Sequence, residues 1–325
     1  MSELVTLYAM AARLGKNGDL AAQKVVEMQA KTNDIWRTLP IREANNGSME
    51  KAIVRAALPD VAWRIINKGV RPTKSAADQV SFSTGGLEAF ADIDERLMKL
   101  NKNSNTWRMS ENYAHQESMS QKMCETIFYG DEKINPAGFT GFGAYYYSKQ
   151  NQDKIWADQI IDAGGTGDNL TSLWIVTMGY DTVYGIHPEG VPAGYKYEDM
   201  GRVPLTDKDG NTFYGYRSKY NWDMGLAIRD PRYVVRLANI DVNNFENTEF
   251  IRNMIKAYSQ IHNVDHGPTY IYCNRKVETL MAILANEKSN VNLRVDEWGG
   301  KKITHFWTSP IIRCDSILNT ESQIV

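Results

Sequence analysis

Three glycines, Gly164, Gly165 and Gly167, fall within four positions of the stretch IIDAGGTGDNL and precede an apolar run. A glycine turn can cradle a phosphate when it opens a helix, because the free N–H groups and the dipole of the helix then face the anion. The apolar run here is TSLWIVTMGYDTVYGI, β-branched and aromatic with a central turn, which predicts strand, turn, strand. The third glycine of a dinucleotide fingerprint would stand at Leu170, and no Gly-x-x-x-x-Gly-Lys-Ser/Thr occurs anywhere. The glycines are better read as permitting positive backbone angles where the chain enters a hairpin.

His262 and His266 are four apart in HNVDH, a spacing that lets two imidazoles share a metal on one helix face. The position after His262 is Asn263, not the glutamate that a zinc protease uses as general base, and Gly267–Pro268 ends the helix at once. Histidines in a last turn also suit the negative end of the helix dipole. The carboxylates of DIDE, residues 92–95, could bind a cation or exchange protons, but acidic residues at a helix start are equally explained by the dipole. There is no Gly-x-Ser-x-Gly elbow; a Cys–His pairing brought together by the fold stays open. No residue is assigned a catalytic, cofactor-binding or metal-binding role.

Any such group would need a framework to position it. The chain has 325 residues with 42% apolar content, enough for a sizeable core. Its 37 basic and 39 acidic residues argue against a free surface that grips nucleic acid. No apolar run is long enough to span a membrane, and MSELVTLYAM lacks the order of a signal peptide. Cys124, Cys273 and Cys314 are odd in number and far apart, as expected of reduced thiols in a cytosolic setting. Periodicity predicts helices over 3–37, 111–129 (Ser110 capping, Met119, Met123 and Ile127 on one stripe), 248–262 and after Asn274. Strands are predicted over 51–58, 79–84, 232–240, 269–274 and in NLRV, KITHFW and PIIRC, with a hairpin turn at KDGN.

Between the first two strands lie twenty residues, PDVAWRIINKGVRPTKSAAD, long for a loop in a compact domain. They carry Trp63, Ile65, Ile66 and Val70. Such side chains gain about 1.5–3 kcal/mol each on full burial, so either the loop folds back on its own domain or another subunit covers it; we favour the second. Residues 135–156, with Phe139, Phe142, Tyr145 and Tyr146, and residues 187–205 repeat the pattern of aromatics in irregular sequence that interfaces prefer.

Taken in order, the stretches LPDVAWRIINKGVRPTKS, NTWRMSENYAHQESMSQKMCETIFYGDEKINPAGFTGF, IIDAGGTGDNLTSLWIVTMGYDTVYGIHPEG, KYNWDMGLAIRDPRYVVRLANID and YIYCNRKVETLM cover almost the whole chain. This set resembles the major capsid proteins of tailed bacteriophages, in particular short-tailed ones. The resemblance implies the α+β capsid fold first recognised in the Hong Kong phage. On this chain it implies an N-terminal arm (1–48), an extended hairpin called the E-loop (49–86) and a peripheral domain with extended loops (87–231) containing a spine helix (106–130). An axial domain (232–300) and closing strands with a C-terminal tail (301–325) complete it. It implies a shell of hexamers and pentamers around double-stranded DNA, contacted weakly and without sequence preference, and assembly in the cytoplasm of a bacterial host. Portal and possible scaffolding or decoration proteins would be further partners; no cofactor and no membrane are implied. Contacts between subunits are expected at Trp63, Arg64, Ile65, Lys68, Arg71 and Lys74 of the E-loop, and at Phe139, Phe142, Tyr145 and Tyr146 of the second loop. The alternatives that remain are a cytosolic α/β enzyme built on the glycine turn or the histidine pair, and another oligomeric phage structural protein.

Overall fold

A central strand buried on both faces organises the molecule. The computed structural model describes residues 33–57, 59–100, 104–150, 154–242, 247–286, 292–298 and 301–325. Within them, one sheet runs in the order β11 (Leu293–Trp298), β12 (Lys301–Phe306), β13 (Ser309–Arg313), β10 (Thr269–Cys273), β5 (Leu170–Thr177), β9 (Val234–Asp241), β4 (Ile160–Asp162). All eight residues of β5 are buried. Successive side chains of a strand point to opposite faces, and here the alternation divides two cores. Leu173 and Ile175 of β5, Val235 and Leu237 of β9, and Ile271 of β10 face one core; Trp174, Val176, Val234, Ala238 and Tyr272 face the other.

The first core is closed by α5 (Asn247–Gln260) and α6 (Arg275–Ala285), through Phe250, Met254, Ala257, Val277, Met281 and Leu284. Asn274 caps α6 as the sequence predicts, its Oδ1 accepting the Val277 N–H at 3.0 Å. The second core is closed by the C-terminal half of the long helix α2 (Ser104–Tyr129), which comes after the short α1 (Glu95–Leu100). Met123, Cys124, Ile127 and Phe128 are fully buried there, and the Phe128 ring lies 6.3 Å from both Trp174 and Tyr272. Helix α2 begins six residues ahead of Ser110, so that residue is not its cap.

Further towards its start, α2 leaves this core for a second sheet, ordered β1 (Ile41–Glu43), β6 (Val183–His187), β8 (Thr212–Ile228), β3 (Ala76–Asp94), β2 (Met49–Ala57), with β7 (Gly194–Thr206) also on β8. There Met119 packs on Ala91 and Tyr220. One helix thus bridges two sheets, with its apolar stripe turned inward as its methionine spacing predicts.

Several expectations change. The strand–turn–strand after the glycines is present, but its two strands enter different sheets, so it is no hairpin. Gly164 and Gly167 have positive φ, whereas Gly165 has no room for a side chain: a Cβ there would collide with the Asn239 carbonyl oxygen. Residues 187–205 are expected to be irregular, but Gly194–Thr206 form β7, whose twelve partners on β8 begin with Asp223 and end with Thr212. The hairpin signal KDGN closes that pair: Asp207 N–H donates to Asn211 O at 3.0 Å. The predicted N-terminal helix lies outside the described residues as far as 32; inside them, Asp34–Arg37 is a short 3-10 turn. Trimming Phe128 to alanine would open a cavity where α2 meets β5 and β10. We expect Phe128→Ala to lower unfolding free energy by about 3–5 kcal/mol, read from denaturant midpoints.

Candidate functional site

β2 and β3 pair antiparallel from Met49↔Ser83 to Ala57↔Ala76, with a register shift near Arg55. β3 then continues into the sheet, pairing with β8 from Thr84↔Gly225 to Asp94↔Gly215. One nineteen-residue strand therefore anchors at its far end what projects at its near end. The projection is residues 59–75, and every one of them is exposed. Trp63 is 99% exposed, Val61 91% and Ile66 87%, with Ile65 and Val70 also open. Five large apolar side chains left open on one projection mark a surface that something else covers.

The projection has its own internal order. Thr73 Oγ1 donates to Asp60 O at 2.8 Å and joins its two limbs. At the tip Lys68 N–H donates to Ile65 O at 3.0 Å, Arg64 Nε donates to Lys68 O at 3.2 Å, and Asn67 takes φ of 67° to make the turn. Arg64, Lys68, Arg71 and Lys74 surround the apolar residues with positive charge against the one acid Asp60. The six E-loop residues expected to make contacts, Trp63, Arg64, Ile65, Lys68, Arg71 and Lys74, are thus gathered on one exposed arm. Val61 belongs with them and is missed by a reading that starts at the tryptophan.

The second loop is corrected. Phe139, Phe142 and Tyr146 are buried in the chain's own core, around the short turns α3 (Phe142–Tyr145) and α4 (Lys154–Ala157). The Phe142 ring lies 5.5 Å from Trp174, and Tyr146 donates its hydroxyl to Pro231 O at 2.8 Å. Tyr145 is half-buried and stacks on Trp156 at 4.8 Å; burial pushes its hydroxyl up to about 12. Phe139, Phe142 and Tyr146 belong to the chain's own core, and that demand is local, so these three are not open to a neighbour; Tyr145 keeps a partly exposed edge.

The residues that suggested chemistry are used otherwise. Asp92 holds Arg217 through two bonds of 2.7 and 2.8 Å, Asp94 accepts the Arg96 N–H at 2.7 Å, and Glu95 pairs with Lys99 and Arg202. His262 and His266 lie beside the Tyr233 ring, at 6.0 and 5.2 Å between ring centres, with His266 already past the end of α5. Among the described residues no group of three His, Cys, Asp or Glu side chains is placed to hold a metal, and no helix is long and apolar enough to cross a membrane.

A second feature escapes the sequence patterns. Arg236, on the apolar strand β9, is buried beside Glu321 at 2.8 Å and lies 4.8 Å over the Trp174 ring. An arginine inside the apolar run VVRLANI, four residues after Arg232, was the available signal.

Comparison with known proteins decides what such an arm belongs to. The sequence profile described as major capsid protein GP7 matches residues 16–325. The chain belongs to this family of major capsid proteins. A solved chain of bacteriophage Epsilon15 is 32% identical to it over 99% of this chain and 98% of that one, with a TM-score of 0.77. The bacteriophage JBD30 capsid shares the fold at 8% identity, with a TM-score of 0.53 over 97% of this chain and 99% of that one. No curated protein sequence matches. The capsid protein is accordingly a structural component of a phage virion shell, mixed helix and sheet in fold, and it works as one of many identical copies.

An uncovered arm is also an uncovered protease site. Trypsin added to the unassembled subunit should cut after Arg64 or Lys68, with the two-sheet core left intact in circular dichroism. Protection of these bonds in the lone subunit would contradict the exposed arm.

Proposed function

We propose that this capsid protein builds an icosahedral shell of hexamers and pentamers around double-stranded DNA, and that its arm does so by lying across a neighbouring copy. The observation that carries this reading is the exposure of Val61, Trp63, Ile65 and Ile66 on an arm anchored by β3. Full burial of one such side chain is worth about 1.5–3 kcal/mol. A subunit in a closed lattice repeats the contact around the shell, so modest contacts sum through multivalency. Weak single contacts also let misplaced copies leave before the lattice closes.

Charge supports the same reading. With 37 basic and 39 acidic residues the chain has no general attraction for nucleic acid. Its contact with packaged DNA is weak and blind to sequence. The N-terminal arm (1–48), the E-loop (49–86), the peripheral domain with its spine helix, and the axial domain divide the chain as the resemblance implies, except that the described end of the arm belongs to the subunit itself: Ile35 and Leu39 are buried in its core and β1 pairs with β6. The axial part takes in β4, β5, β12 and β13 as well as residues 232–300, since all four strands belong to its sheet. A portal, and scaffolding or decoration proteins, are the partners this shell would use, and the bacterial cytoplasm is where it would form. The protein's work is repeated contact, with no reaction assigned to it.

Replacing Trp63 by aspartate puts a charge at the centre of the proposed contact while touching nothing inside the subunit. Trp63→Asp should leave subunit unfolding within about 0.5 kcal/mol of wild type and raise the concentration needed for shells by about tenfold or more. Light scattering and negative-stain microscopy would track it; normal assembly of the variant would refute the arm's role. Lys68 and Lys74 lie where some relatives form an isopeptide link. We expect none here, so mature particles boiled in detergent should run as monomers; a ladder would show otherwise.

A further inference from the structure

Residues 314–325 continue from β13 as a strap with little regular structure, yet they are tied down along their length. Thr171 Oγ1 donates to Leu318 O at 2.6 Å, and Asn274 Nδ2 donates to Asn319 Oδ1 at 2.7 Å. Glu321 exchanges backbone bonds with Leu170, 2.9 Å in one direction and 3.3 Å in the other. Asn239 Nδ2 donates to Ile324 O at 2.9 Å while its Oδ1 accepts the Ile324 N–H at 2.8 Å. Ser148 Oγ and the Lys149 N–H both donate to Val325 O, at 2.7 and 3.1 Å.

At the centre of the strap the Glu321 side chain is only 6% exposed. Its carboxylate accepts from three separate elements. Arg236 Nη2 of β9 donates at 2.8 Å, Ser172 Oγ of β5 donates to the same oxygen, and the Tyr129 hydroxyl at the end of α2 donates to the other oxygen. Burial and the neighbouring carboxylate push the Tyr129 hydroxyl up, so it stays protonated and donating. Tyr129 also accepts the Leu318 N–H at 3.0 Å. Arg236 completes its own set with Ser172 Oγ at 2.9 Å and Tyr146 O at 2.8 Å.

The rest of the α2 contact with this sheet is mainly apolar, through Met123, Ile127 and Phe128, with one thiol–thiol bond from Cys124 to Cys314 just beyond β13. Apolar contact is non-directional, so it holds the helix down without fixing how it is turned. The bonds at Glu321 are directional and join helix to sheet through the strap. We propose that residues 318–325 are a latch that fixes the orientation of α2 on the seven-stranded sheet, with Glu321 as its pin. The latch has surface handles, since Leu318 and Val325 are exposed on either side of the buried pin. A contact that lifts them draws Glu321 out and frees the end of the helix, with α5 and α6 on the opposite face undisturbed.

Two variants of the full-length chain separate this role from general stability. Tyr129→Phe removes the bond on the helix side and leaves the Glu321–Arg236 pair in place. The double variant Arg236→Met/Glu321→Met removes the acceptor that makes the pin together with the charge that would otherwise be stranded in the core. Hydrogen–deuterium exchange is measured on each beside wild type in the same state of assembly. The latch predicts exchange about tenfold faster at residues 118–129 in both variants, with 275–285 of α6 unchanged. Equal acceleration of both segments would make the strap ordinary core packing and overturn the proposal. So would an exchange pattern for Tyr129→Phe that matches wild type.

Discussion

A sheet that is apolar on both faces cannot stop at one layer of helix. β5 is buried along its whole length, and its alternating side chains serve two cores, so helices must lie on each side. On one side α5 and α6 suffice. On the other the cover is α2, which is longer than the sheet needs and carries its stripe onward to Ala91 and Tyr220 of the neighbouring sheet. The bridge between the two sheets results from that excess length. So does the anchorage of β3, whose far end lies against the same helix and whose near end carries the arm outward.

The arm inverts the rule that shapes the rest. In the cores each large apolar side chain finds partners within the chain; on residues 59–75 they lie open, while the backbone is still ordered by Thr73–Asp60 and by the tip turn. Ordering the limbs before contact lowers the entropy lost on binding. Surrounding cations keep the arm soluble meanwhile. The identity of the partner comes from the family, since a capsid protein meets mostly copies of itself.

Sequence patterns were most legible where a periodic element met a single demand. Met119, Met123 and Ile127 announced the face of α2, Asn274 announced the cap of α6, and the alternation of QVSFST announced β3. Trp63, Ile65, Ile66 and Val70 pointed to the arm because four apolar residues in a long loop must either fold back on their own domain or meet another subunit, and in the structure they do not fold back. The same logic misplaced Phe139, Phe142 and Tyr146, since an aromatic in irregular sequence serves an interface or a local core equally well. Only the space between α2 and β5 decides between them. The pairing of Arg236 with Glu321 spans 85 positions, and no local pattern carries a contact of that range. β7 was hidden for another reason: its glycines, charges and Pro204 are those of an edge strand, which tolerates them where a central strand would not.

The three cysteines add a property of the finished particle. Cys124, Cys273 and Cys314 are all fully buried, and burial pushes the Cys273 and Cys314 thiols well above their ordinary range. Thiolate is the form that attacks a disulfide or an oxidant; at Cys273 and Cys314 it is scarce, and all three sulfurs are out of reach. With all three sulfurs enclosed, this polypeptide offers an oxidant no exposed thiol through which one shell could be welded to the next.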